Sequence, residues 1–576
     1  MEWSYFMQIE GSTCARATLG VALGTLLTLV FTVSAAENRQ QGHSMVLPSG
    51  ATASRPDGVG AIRQMRLPGS ALPIRSIDGR GNNEDRPGWG SAGSTLLRRS
   101  TIDYADGINA PAAPARAGAR EISNLCSAQE DLIPSSVSSF FWQWGQFVDH
   151  DIDLVPVMDP RESLEIPVPA GDRFFDPERS GSAVIRFERS LYRKENGVRQ
   201  QVNDITAFID ASNVYGSDPE RASALRAMDG TGRLATSRGR LLPFNTSGMP
   251  NAPTKDDPSL FLAGDFRANE QVGLIAMHTV FVREHNWWAE RYGAENPGLR
   301  GDEIYELART MVAAEMQAIT YREFLPRLLG PSGMPPYRGY DPDVNPGISN
   351  VFATAAYRFG HSMLPSRLLR LDADGNEVAA GHLSLTDSFF NPALIRDGGI
   401  ESVLRGLAAQ PSQRVDTFVV SAVRNFLFGG PRAGGFDLAA LNVQRGRDHG
   451  LPSYNQVRVD FGMTPRSSFA EINRNTTVQF RLSEAYRGVD DIDAWVGGLS
   501  EPPARGALVG ETVAAVLRDQ FVRLRSGDRF WYQSALPPEM VVVVEQQTLA
   551  RIIRRNTSIG DEISDDIFRL PRRRRP

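Results

Sequence analysis

The sequence is poor in cysteine and lysine and nearly balanced in charge. Only Cys14 and Cys126 occur among 576 residues, which excludes a disulfide framework and a cysteine-rich metal site. Lysine occurs only at Lys194 and Lys255, as codon bias in a GC-rich genome would produce. The formal net charge of −5 gives no electrostatic signal for a nucleic-acid partner. Any histidine-based site must draw on seven residues: His43, His150, His278, His285, His361, His382 and His449.

The remaining composition is that of an ordinary globular protein, rich in helical patterns. With 41% hydrophobic and 22% charged residues, collagen, simple disorder and a multi-span membrane protein are excluded. The predicted fold class is mostly α, a single large helical domain with few short strands. Met540–Val544 is the clearest strand-like run. The predicted helices are Ser138–His150, Asn269–Tyr292, Glu303–Leu329, Asn350–Met363, Glu401–Phe428 and Leu508–Arg525.

The amino terminus resembles an export signal. Residues 17–36 carry no charge, Arg16 precedes them, and small residues at 34–36 fit a signal-peptidase site. We expect residues 1–36 to be a signal peptide and the protein to be secreted or periplasmic. The apolar run is also long enough for an uncleaved membrane anchor, and a true start at Met45 is a further alternative.

Composition divides the rest of the chain into three parts. Residues 37–70 are rich in Gly, Ser, Gln, Pro and Arg without an apolar period, which predicts a disordered leader. Residues 71–570 contain no long low-complexity linker and no internal repeat, so we expect one domain there. Residues 571–576 form a short basic tail.

The run Trp144–Asp151 (WGQFVDHD) gathers polar groups after an apolar stretch. On a helix, Gln146 and His150 are one turn apart and share a face, with Asp149 close to it. A histidine beside a glutamine in a pocket suits proton transfer. The alternative is a capped, solvated helix end.

A second segment, Thr206–Ser212, has an oxygen-bearing side chain at every second position. Hydroxyl, carboxylate and backbone carbonyl oxygens are the ligands of hard cations such as Ca²⁺. Asp210 together with Asp151 would supply two negative charges. The alternative is a short strand or turn with alternating exposure.

Three further segments each allow a structural explanation. Arg267 and Glu270 in GDFRANE are spaced for a surface ion pair at a helix start. His361, in Tyr357–His361 (YRFGH), would be a hydrogen-bonded core histidine. The charged residues of Asn442–Gly450 (NVQRGRDHG) would form a structural network.

In this order, the segments together resemble the animal-type haem peroxidases of the peroxidase–cyclooxygenase superfamily. The resemblance extends from about Arg75 to Thr557. It is carried by the motifs WGQFVDHD, TAFIDASNVYGS, AGDFRANE, MHTVFVREHN, YRFGH and NVQRGRDHGLPSYN.

The resemblance implies a role for each matching residue in the haem pocket. His150 would be the distal histidine, Gln146 its neighbour and Arg267 the distal arginine. His361 would be the proximal iron ligand, and Asn442 would accept its other ring N–H. Further implied haem contacts are Arg358 and Arg445 near the propionates and Asp149 and Glu270 as ester links to ring methyls.

The implied cofactors are haem b and Ca²⁺. The implied calcium ligands are Asp151, Thr206, the Phe208 carbonyl, Asp210 and Ser212. The implied activity is reduction of hydrogen peroxide through compound I, with oxidation of bromide, iodide, thiocyanate or small phenolic and other organic reductants. Membrane contact is expected only if the amino-terminal segment stays uncleaved, and the sequence gives no oligomeric state.

Two departures from the family pattern refine this expectation. Gln271 stands where myeloperoxidase has the methionine of a sulfonium link to haem. That link is therefore not expected, chloride oxidation is doubtful, and the site looks more like lactoperoxidase- or peroxidasin-like members. The disulfides usual in animal members are missing, which fits a bacterial or otherwise divergent protein.

Two other functions remain as alternatives. A fatty-acid dioxygenase of cyclooxygenase type needs a radical tyrosine three residues before the proximal histidine, where this chain has Arg358; Tyr357 is one place off. A non-catalytic secreted adhesion protein on a peroxidase scaffold is the other alternative. The intact set of Gln146, His150, Arg267, His361 and Asn442 argues against it.

Overall fold

A computed structural model describes residues 72–128, 133–253, 257–431 and 433–570. The predicted signal or anchor at 1–36, the leader at 37–70 and the tail at 571–576 lie outside these residues. Across the described ranges, no helix combines the length and apolar character needed to cross a membrane.

Helices dominate the described part of the chain. Those of seven or more residues are α1 Phe140–Ile152, α2 Val272–Glu295, α3 Gly301–Ile319, α4 Glu401–Ala409, α5 Leu438–Asp448, α6 Tyr454–Asp460, α7 Thr476–Ala485, α8 Ala494–Ser500, α9 Glu511–Ser526, α10 Pro538–Glu545 and α11 Leu549–Asn556. Shorter α-helical segments are Ala119–Ile122, Ser212–Tyr215, Pro219–Ala224, Leu325–Leu328, Asn350–Thr354, Ala393–Gly398, Ser421–Arg424, Phe469–Ile472 and Tyr532–Ala535. Ser123–Ser127 and Thr320–Phe324 are π-helical, and Arg238–Arg240, Ala356–Met363, Thr386–Ser388 and Val489–Asp491 are 3₁₀.

The strands are short and antiparallel. They are β1 Ser94–Thr95, β2 Pro134–Ser138, β3 Ile166–Pro167, β4 Val184–Ile185, β5 Tyr192–Glu195, β6 Val198–Asn203, β7 Arg367–Leu368, β8 Leu383–Ser384 and β9 Pro411–Gln413. Strand β6 lies between β1 and β5, and the other pairs are β2 with β9, β3 with β4, and β7 with β8. The prediction of a mostly α fold with few short strands is confirmed.

The predicted helix Glu401–Phe428 is wrong beyond its first third. Helix α4 ends at Ala409, and Gln410 is extended, with φ −84° and ψ 127°. Pro411 follows, and the residue before a proline is driven from the α region towards extended backbone. The chain then forms β9 against β2, and only Ser421–Arg424 is helical again.

The predicted strand Met540–Val544 is also wrong, because these residues lie in helix α10. Two features favour the helix over the β propensity of four consecutive valines. Pro538 occupies its first position, where proline suits a helix. Met540, Val543 and Val544 are buried at helical spacing while Val542 is 53% exposed. Tertiary burial on one helical face therefore outweighs strand propensity.

The predicted helix Asn350–Met363 contains a break. Asn350–Thr354 is α-helical, Ala355 has φ −129° and ψ −63°, and Ala356–Met363 continues as a 3₁₀ helix. The break separates the 3₁₀ segment, which packs against α1, from the preceding α-helix. It places His361 on the 3₁₀ segment rather than on a regular α-helix.

The core fixes α1 against α2. Phe147 of α1 stacks on Phe281 of α2 with ring centroids 5.0 Å apart, and the Trp144 ring lies 5.8 Å from the same phenylalanine. Aromatic pairs at these separations contribute about 0.5–1.5 kcal/mol beyond their area burial. The polar face of α1 is thereby held in a fixed position beside the loop that leads into α2.

Candidate active site

One pocket gathers residues from α1 and from the 3₁₀ segment. Helix α1 contributes Gln146, Asp149 and His150, and the 3₁₀ segment contributes Arg358 and His361. The space is about 700 Å³, including its opening to solvent. The other lining residues are Trp142, Gly145, Gln271, Tyr357, Phe359, Gly360, Leu364, Leu385 and Phe389. The two histidines that the resemblance assigned to opposite sides of haem therefore share one cavity.

His150 is buried and held in its neutral form. Its Nε2 lies 3.9 Å from Oε2 of Glu270 and its Nδ1 lies 3.7 Å from Oδ1 of Asp265. Burial, followed by the positive charge of Arg267, lowers the pKa of His150 well below its ordinary value. A neutral imidazole can accept a proton, so the ring has the protonation state that proton transfer requires.

Arg267 is fully buried and paired with Asp265, not with Glu270. Its Nε and Nη2 donate to the two carboxylate oxygens of Asp265 at 2.9 and 2.7 Å. Its Nη1 lies 3.8 Å from Oδ2 of Asp149 and has no hydrogen-bond partner. Burial lowers the pKa of Arg267, but Asp265 outweighs this effect and the net shift is upward. The surface ion pair considered for Arg267 and Glu270 is therefore excluded.

Asp149 and Glu270 are two buried carboxyl groups near His150. Burial, with Asp153 nearby, raises the pKa of Asp149 to about 7, and burial raises the pKa of Glu270 to about 8. Gln146 Nε2 donates to Oε2 of Glu270 at 3.0 Å, while Oδ1 of Asp149 has no hydrogen-bond partner. Both carboxyl groups are positioned at the pocket, but only Asp149 lines it.

Gln271 links the loop before α2 to helix α1. Its side-chain oxygen caps α2 by accepting from the Gly273 N–H at 2.6 Å. Its Nε2 donates to Gln143 at 2.6 Å and to Gln146 at 3.1 Å. The residue that replaces the methionine of the sulfonium link therefore has a structural role of its own.

His361 contacts Asn442 of α5. Nδ2 of Asn442 lies 2.8 Å from Nδ1 of His361, and its Oδ1 accepts from Nη1 of Arg358 at 3.1 Å. The resemblance predicted this contact with Asn442 as the acceptor of the ring N–H, whereas here the amide nitrogen of Asn442 faces the ring. For Asn442 to accept the ring N–H, its amide must turn by 180°. Burial, followed by the charge of Arg358, lowers the pKa of His361 well below its ordinary value.

The two arginines predicted near the haem propionates differ in position. Arg358 lines the pocket, and its Nε donates to the Ala353 carbonyl at 2.9 Å. Arg445 is buried outside the lining, where it donates to Ser190 at 2.6 Å and to Asp448 at 3.0 Å. Burial lowers the pKa of both guanidinium groups to about 10.

Asp151, near the end of α1, lies close to Asp210. Asp151 accepts from the backbone N–H groups of Ala211 and Asn213 at 3.2 and 3.3 Å. Burial, then the charge of Asp210, raises the pKa of Asp151 well above its usual range. Two neighbouring buried carboxylates repel each other unless positive charge or a proton compensates, and Arg75 and Arg309 supply part of that charge at Asp210.

The neighbouring hydroxyl groups complete an oxygen-rich loop. Thr206 donates to Oδ1 of Asp210 at 3.0 Å, and Ser212 Oγ donates to the Asp151 carbonyl at 2.8 Å. Oδ2 of Asp210 is buried without a hydrogen-bond partner. Phe208 is buried in the same loop, with its ring 5.2 Å below the Arg75 guanidinium. These residues fit a hard cation, which would satisfy the orphaned oxygen.

That cation site differs from a cluster of acidic or histidine ligands. Within the described ranges, no group of three or more His, Cys, Asp or Glu side chains could hold a metal ion. The loop offers two carboxylates, so a cation there would depend on hydroxyl and carbonyl oxygens for its remaining ligands.

Gly264 packs the loop that carries Arg267 against the oxygen-rich loop at Thr206–Ser212, here called the cation loop. A Cβ at this position would lie 2.4 Å from the Ser212 carbonyl oxygen and 2.5 Å from the Tyr215 nitrogen. Only glycine allows this approach between backbones. The cation loop, Arg267 and α1 are therefore parts of one packed unit.

The pocket residues fit the implied haem. Two histidines face one cavity, and Arg358 supplies a cation at its wall. Three buried polar atoms around it have no hydrogen-bond partner: Nδ1 of His150, Oδ1 of Asp149 and Nη1 of Arg267. Orphaned polar atoms are rare in native interiors and are expected where a ligand or water completes the site.

Sequence reasoning missed two carboxylates in this region. Asp265 holds Arg267 in place, and its position two residues before that arginine was the available signal. Asp153 is buried with neither carboxylate oxygen hydrogen-bonded, and burial raises its pKa to about 6. Asp149, Asp151 and Asp153 occupy every second position of the sequence, but that spacing did not indicate that the Asp153 side chain would be buried.

Comparison with known proteins identifies the relationship. The family model described as animal haem peroxidase matches residues 74–568. Peroxinectin A of Dictyostelium discoideum is 35% identical over 525 residues, covering 86% of this chain and 96% of that protein. The peroxidasin homolog pxn-2 of Caenorhabditis elegans is also 35% identical and covers 86% of this chain, which spans 42% of its length.

The structural comparison agrees. The structure of peroxidase A from Dictyostelium discoideum has a TM-score of 0.80 at 33% identity, covering 87% of this chain and 100% of that one. A fatty-acid alpha-dioxygenase of Arabidopsis thaliana matches with a TM-score of 0.74 but 20% identity, covering 86% of this chain and 83% of that one. That second likeness shows a common fold alone.

Proposed function

Since the chain belongs to the animal haem peroxidase family, we propose that it reduces hydrogen peroxide in the pocket between His150 and His361. We further propose that it oxidises bromide, iodide, thiocyanate or small organic reductants. The observation that carries the proposal is the shared cavity lined by both histidines. As a member of this family the protein is a haem peroxidase, an enzyme that binds haem and uses peroxide with a reductant.

The distal residues supply proton transfer and charge. Bound haem supplies the redox-active iron that takes oxidising equivalents from peroxide. Neutral His150 takes a proton from one peroxide oxygen and returns it to the other, which leaves as water. Arg267, held rigid by Asp265, contributes fixed positive charge beside the pocket, where negative charge develops as the O–O bond breaks.

The proximal residues hold and tune the haem. His361 would ligate the iron through its second ring nitrogen, and Asn442 would accept the Nδ1 proton once its amide is turned. That turn also requires Arg358 Nη1 to leave the Asn442 oxygen to which it now donates. Such a contact fixes the tautomer and makes the imidazole a stronger donor. Arg358 lies on the pocket wall, where it can pair with a propionate. Arg445 would act indirectly, by linking α5 to Ser190 through a hydrogen bond of 2.6 Å.

The proposed reductants can be tested directly on the purified enzyme. A panel of chloride, bromide, iodide, thiocyanate and phenols should be presented to purified haem-loaded protein. We expect turnover with several of the last four and little with chloride, because Gln271 cannot form the sulfonium link. Efficient chloride oxidation would contradict this reading of Gln271.

The place of action is a further proposal. We propose that the protein is secreted or periplasmic, in agreement with the expected signal at 1–36. Because Cys126 is a buried free thiol whose pKa burial raises to about 12, it resists oxidation outside the cell.

We predict one calcium ion per chain at the Asp151–Asp210 loop. A cation there relieves the repulsion between the two carboxylates and fixes the end of α1 that carries His150. Chelation should lower both the melting temperature and the peroxidase activity. When the free calcium concentration is a hundred times the Kd of the site, binding adds about 2.7 kcal/mol to the free energy of unfolding.

Metal analysis of active protein checks this prediction. Asp210→Asn should lose the ion, whereas Asp204→Asn, at an exposed neighbouring position, should retain it. Active wild-type protein without calcium would refute the site.

We predict that Asp149 and Glu270 form ester links to haem methyl groups. Both lie within a few ångströms of His150 or Arg267, and both carboxyl groups are buried at the pocket. Acid extraction under denaturing conditions should leave haem on peroxide-treated wild-type protein. Asp149→Ala and Glu270→Ala should each retain one link, and the double variant should release all the haem.

Gln271→Met tests the missing third link. A sulfonium bond would shift the Soret band to the red, although the substitution also removes the cap of α2, which costs about 1 kcal/mol.

For the ester links, complete extraction of haem from peroxide-cycled wild-type protein would show that the assignment of Asp149 and Glu270 is wrong. The proposed peroxidase function would survive that result.

A further inference from the structure

A series of aromatic rings leads away from the pocket. Tyr357 lines the pocket, and its ring centroid is 5.7 Å from that of Phe521. Tyr321 lies 6.0 Å from the same phenylalanine, Trp531 lies 4.7 Å from Tyr321, and Tyr337 lies 5.8 Å from Trp531. Three tyrosines and a tryptophan, side chains that are readily oxidised by one electron, therefore lie along one series of ring contacts, with Phe521 between Tyr357 and Tyr321.

The inner end of this series cannot keep a radical. Tyr357 is buried, and its hydroxyl group has no hydrogen-bond partner. A tyrosine that loses an electron becomes a stable neutral radical only if a base takes its proton. Tyr321 is close enough to contribute, after burial and Asp149, to raising the pKa of Tyr357. An oxidised Tyr357 would therefore draw an electron from the neighbouring rings.

The middle of the series has no base either. Tyr321 donates its hydroxyl proton to the Phe521 carbonyl at 2.5 Å, and Trp531 Nε1 donates to Gln533 at 3.1 Å. Carbonyl and amide oxygens do not remove these protons. Trp531 is 2% exposed, and an indole can lose an electron while keeping its N–H. These two residues are suited to passing an electron rather than to holding a radical.

The outer end reaches solvent. Tyr337 is half-buried, and its hydroxyl group lies 2.5 Å from that of the exposed Ser534. The Arg525 guanidinium lies 5.5 Å from the Tyr337 ring centre. Burial raises the pKa of Tyr337 overall, and the hydrogen bond with Ser534 and the charge of Arg525 act in the opposite direction, towards release of the phenol proton. Water can take that proton, so the neutral radical would settle on Tyr337.

We propose that Tyr337 is a second oxidation site, connected to the pocket through Trp531, Tyr321 and Tyr357. Its substrates would be phenol groups carried by macromolecules too large to enter the pocket. The inference rests on the proposed peroxidase function, which supplies the oxidant.

The reaction balances with peroxide as the only oxidant. Each Tyr337 oxidation sends one electron inward and one proton to water. A phenol on the macromolecule then gives one electron and one proton to the Tyr337 radical and restores the tyrosine. Two such cycles per hydrogen peroxide give two phenoxyl radicals and two water molecules.

The test compares one phenol in two forms, free tyramine and tyramine coupled to dextran, on the haem-loaded enzyme. Tyr337→Phe and Trp531→Phe keep aromatic packing but remove an oxidisable group. Each should lower oxidation of the dextran-bound phenol by about tenfold or more, as a barrier higher by about 1.4 kcal/mol would. Free tyramine, which enters the pocket, should keep its wild-type rate. Tyr340 lies in the same loop as Tyr337, between the helices Leu325–Leu328 and Asn350–Thr354. Tyr340→Phe is therefore the matched control and should change neither rate.

A second readout does not depend on turnover. With a nitroso spin trap and peroxide, mass spectrometry should find the adduct on Tyr337 of the wild type. Trp531→Phe should lose that adduct although Tyr337 is still present. An unchanged adduct in Trp531→Phe, or unchanged oxidation of the dextran-bound phenol in Tyr337→Phe, would overturn the inference. Failure of the wild type to oxidise free tyramine would instead overturn the proposed peroxidase function.

Discussion

His361→Ala is expected to abolish stable haem binding. Among the described residues, His361 and His150 are the histidines that line the pocket, and only His361 contacts Asn442. If His361 is the iron ligand, as we propose, its removal leaves the cavity without a coordinate bond to hold the cofactor. Soret absorbance per mole of chain should fall close to zero in the purified variant.

Two controls separate lost ligation from lost folding. His382→Ala removes a histidine that does not line the pocket and should leave the haem content at the wild-type level. His361→Gly opens room for imidazole, which should restore part of the Soret band when added. Normal haem content in His361→Ala would show that another group ligates the iron.

His150→Ala should keep haem but lose most of its reactivity with peroxide. The proposed proton-transfer group, His150, lies on α1, and the proposed iron ligand, His361, lies on the 3₁₀ segment. Removal of one should therefore leave the other in place. General acid–base catalysis contributes about 10²–10⁴-fold, and a loss of that size is expected in the peroxide-dependent rate. Stopped-flow absorbance at the Soret band measures it directly.

His150→Gln provides the conservative comparison. Glutamine fills similar space and can hydrogen-bond to Glu270, but it cannot shuttle a proton at neutral pH. It should therefore be nearly as slow as His150→Ala while binding haem normally. If either variant reacts with peroxide at the wild-type rate, His150 is not the acid–base group.

Much of the fold was predictable because its helices carry long apolar patterns. Helix α2 is buried along most of its length, as its apolar residues on several faces indicated, and α1 ends two residues beyond its predicted boundary. The motif around His150 was placed correctly on a helix because its polar residues follow an aromatic run. These features depend on local periodicity, which the sequence carries directly.

The errors arose where tertiary contacts decide. The valines of α10 favour a strand locally, but packing buries one helical face. The early end of α4 has a local cause in Pro411, whereas the pairing of β9 with β2 depends on a contact across a long sequence separation. Part of the candidate active site could not be predicted for the same reason. The pairing of Arg267 with Asp265 and the aromatic contacts of Tyr357 depend on packing that no spacing rule reveals.

The measurement that tests the central claim most directly is made on a single sample of purified, haem-loaded wild-type protein. Its absorption spectrum is recorded, and its turnover of iodide or a small phenol is followed with and without hydrogen peroxide. We predict a Soret band equivalent to one haem per chain and turnover that requires peroxide. Haem binding without peroxide-dependent turnover, or no haem binding at all, would contradict a catalytic peroxidase and favour a non-catalytic protein on the same scaffold.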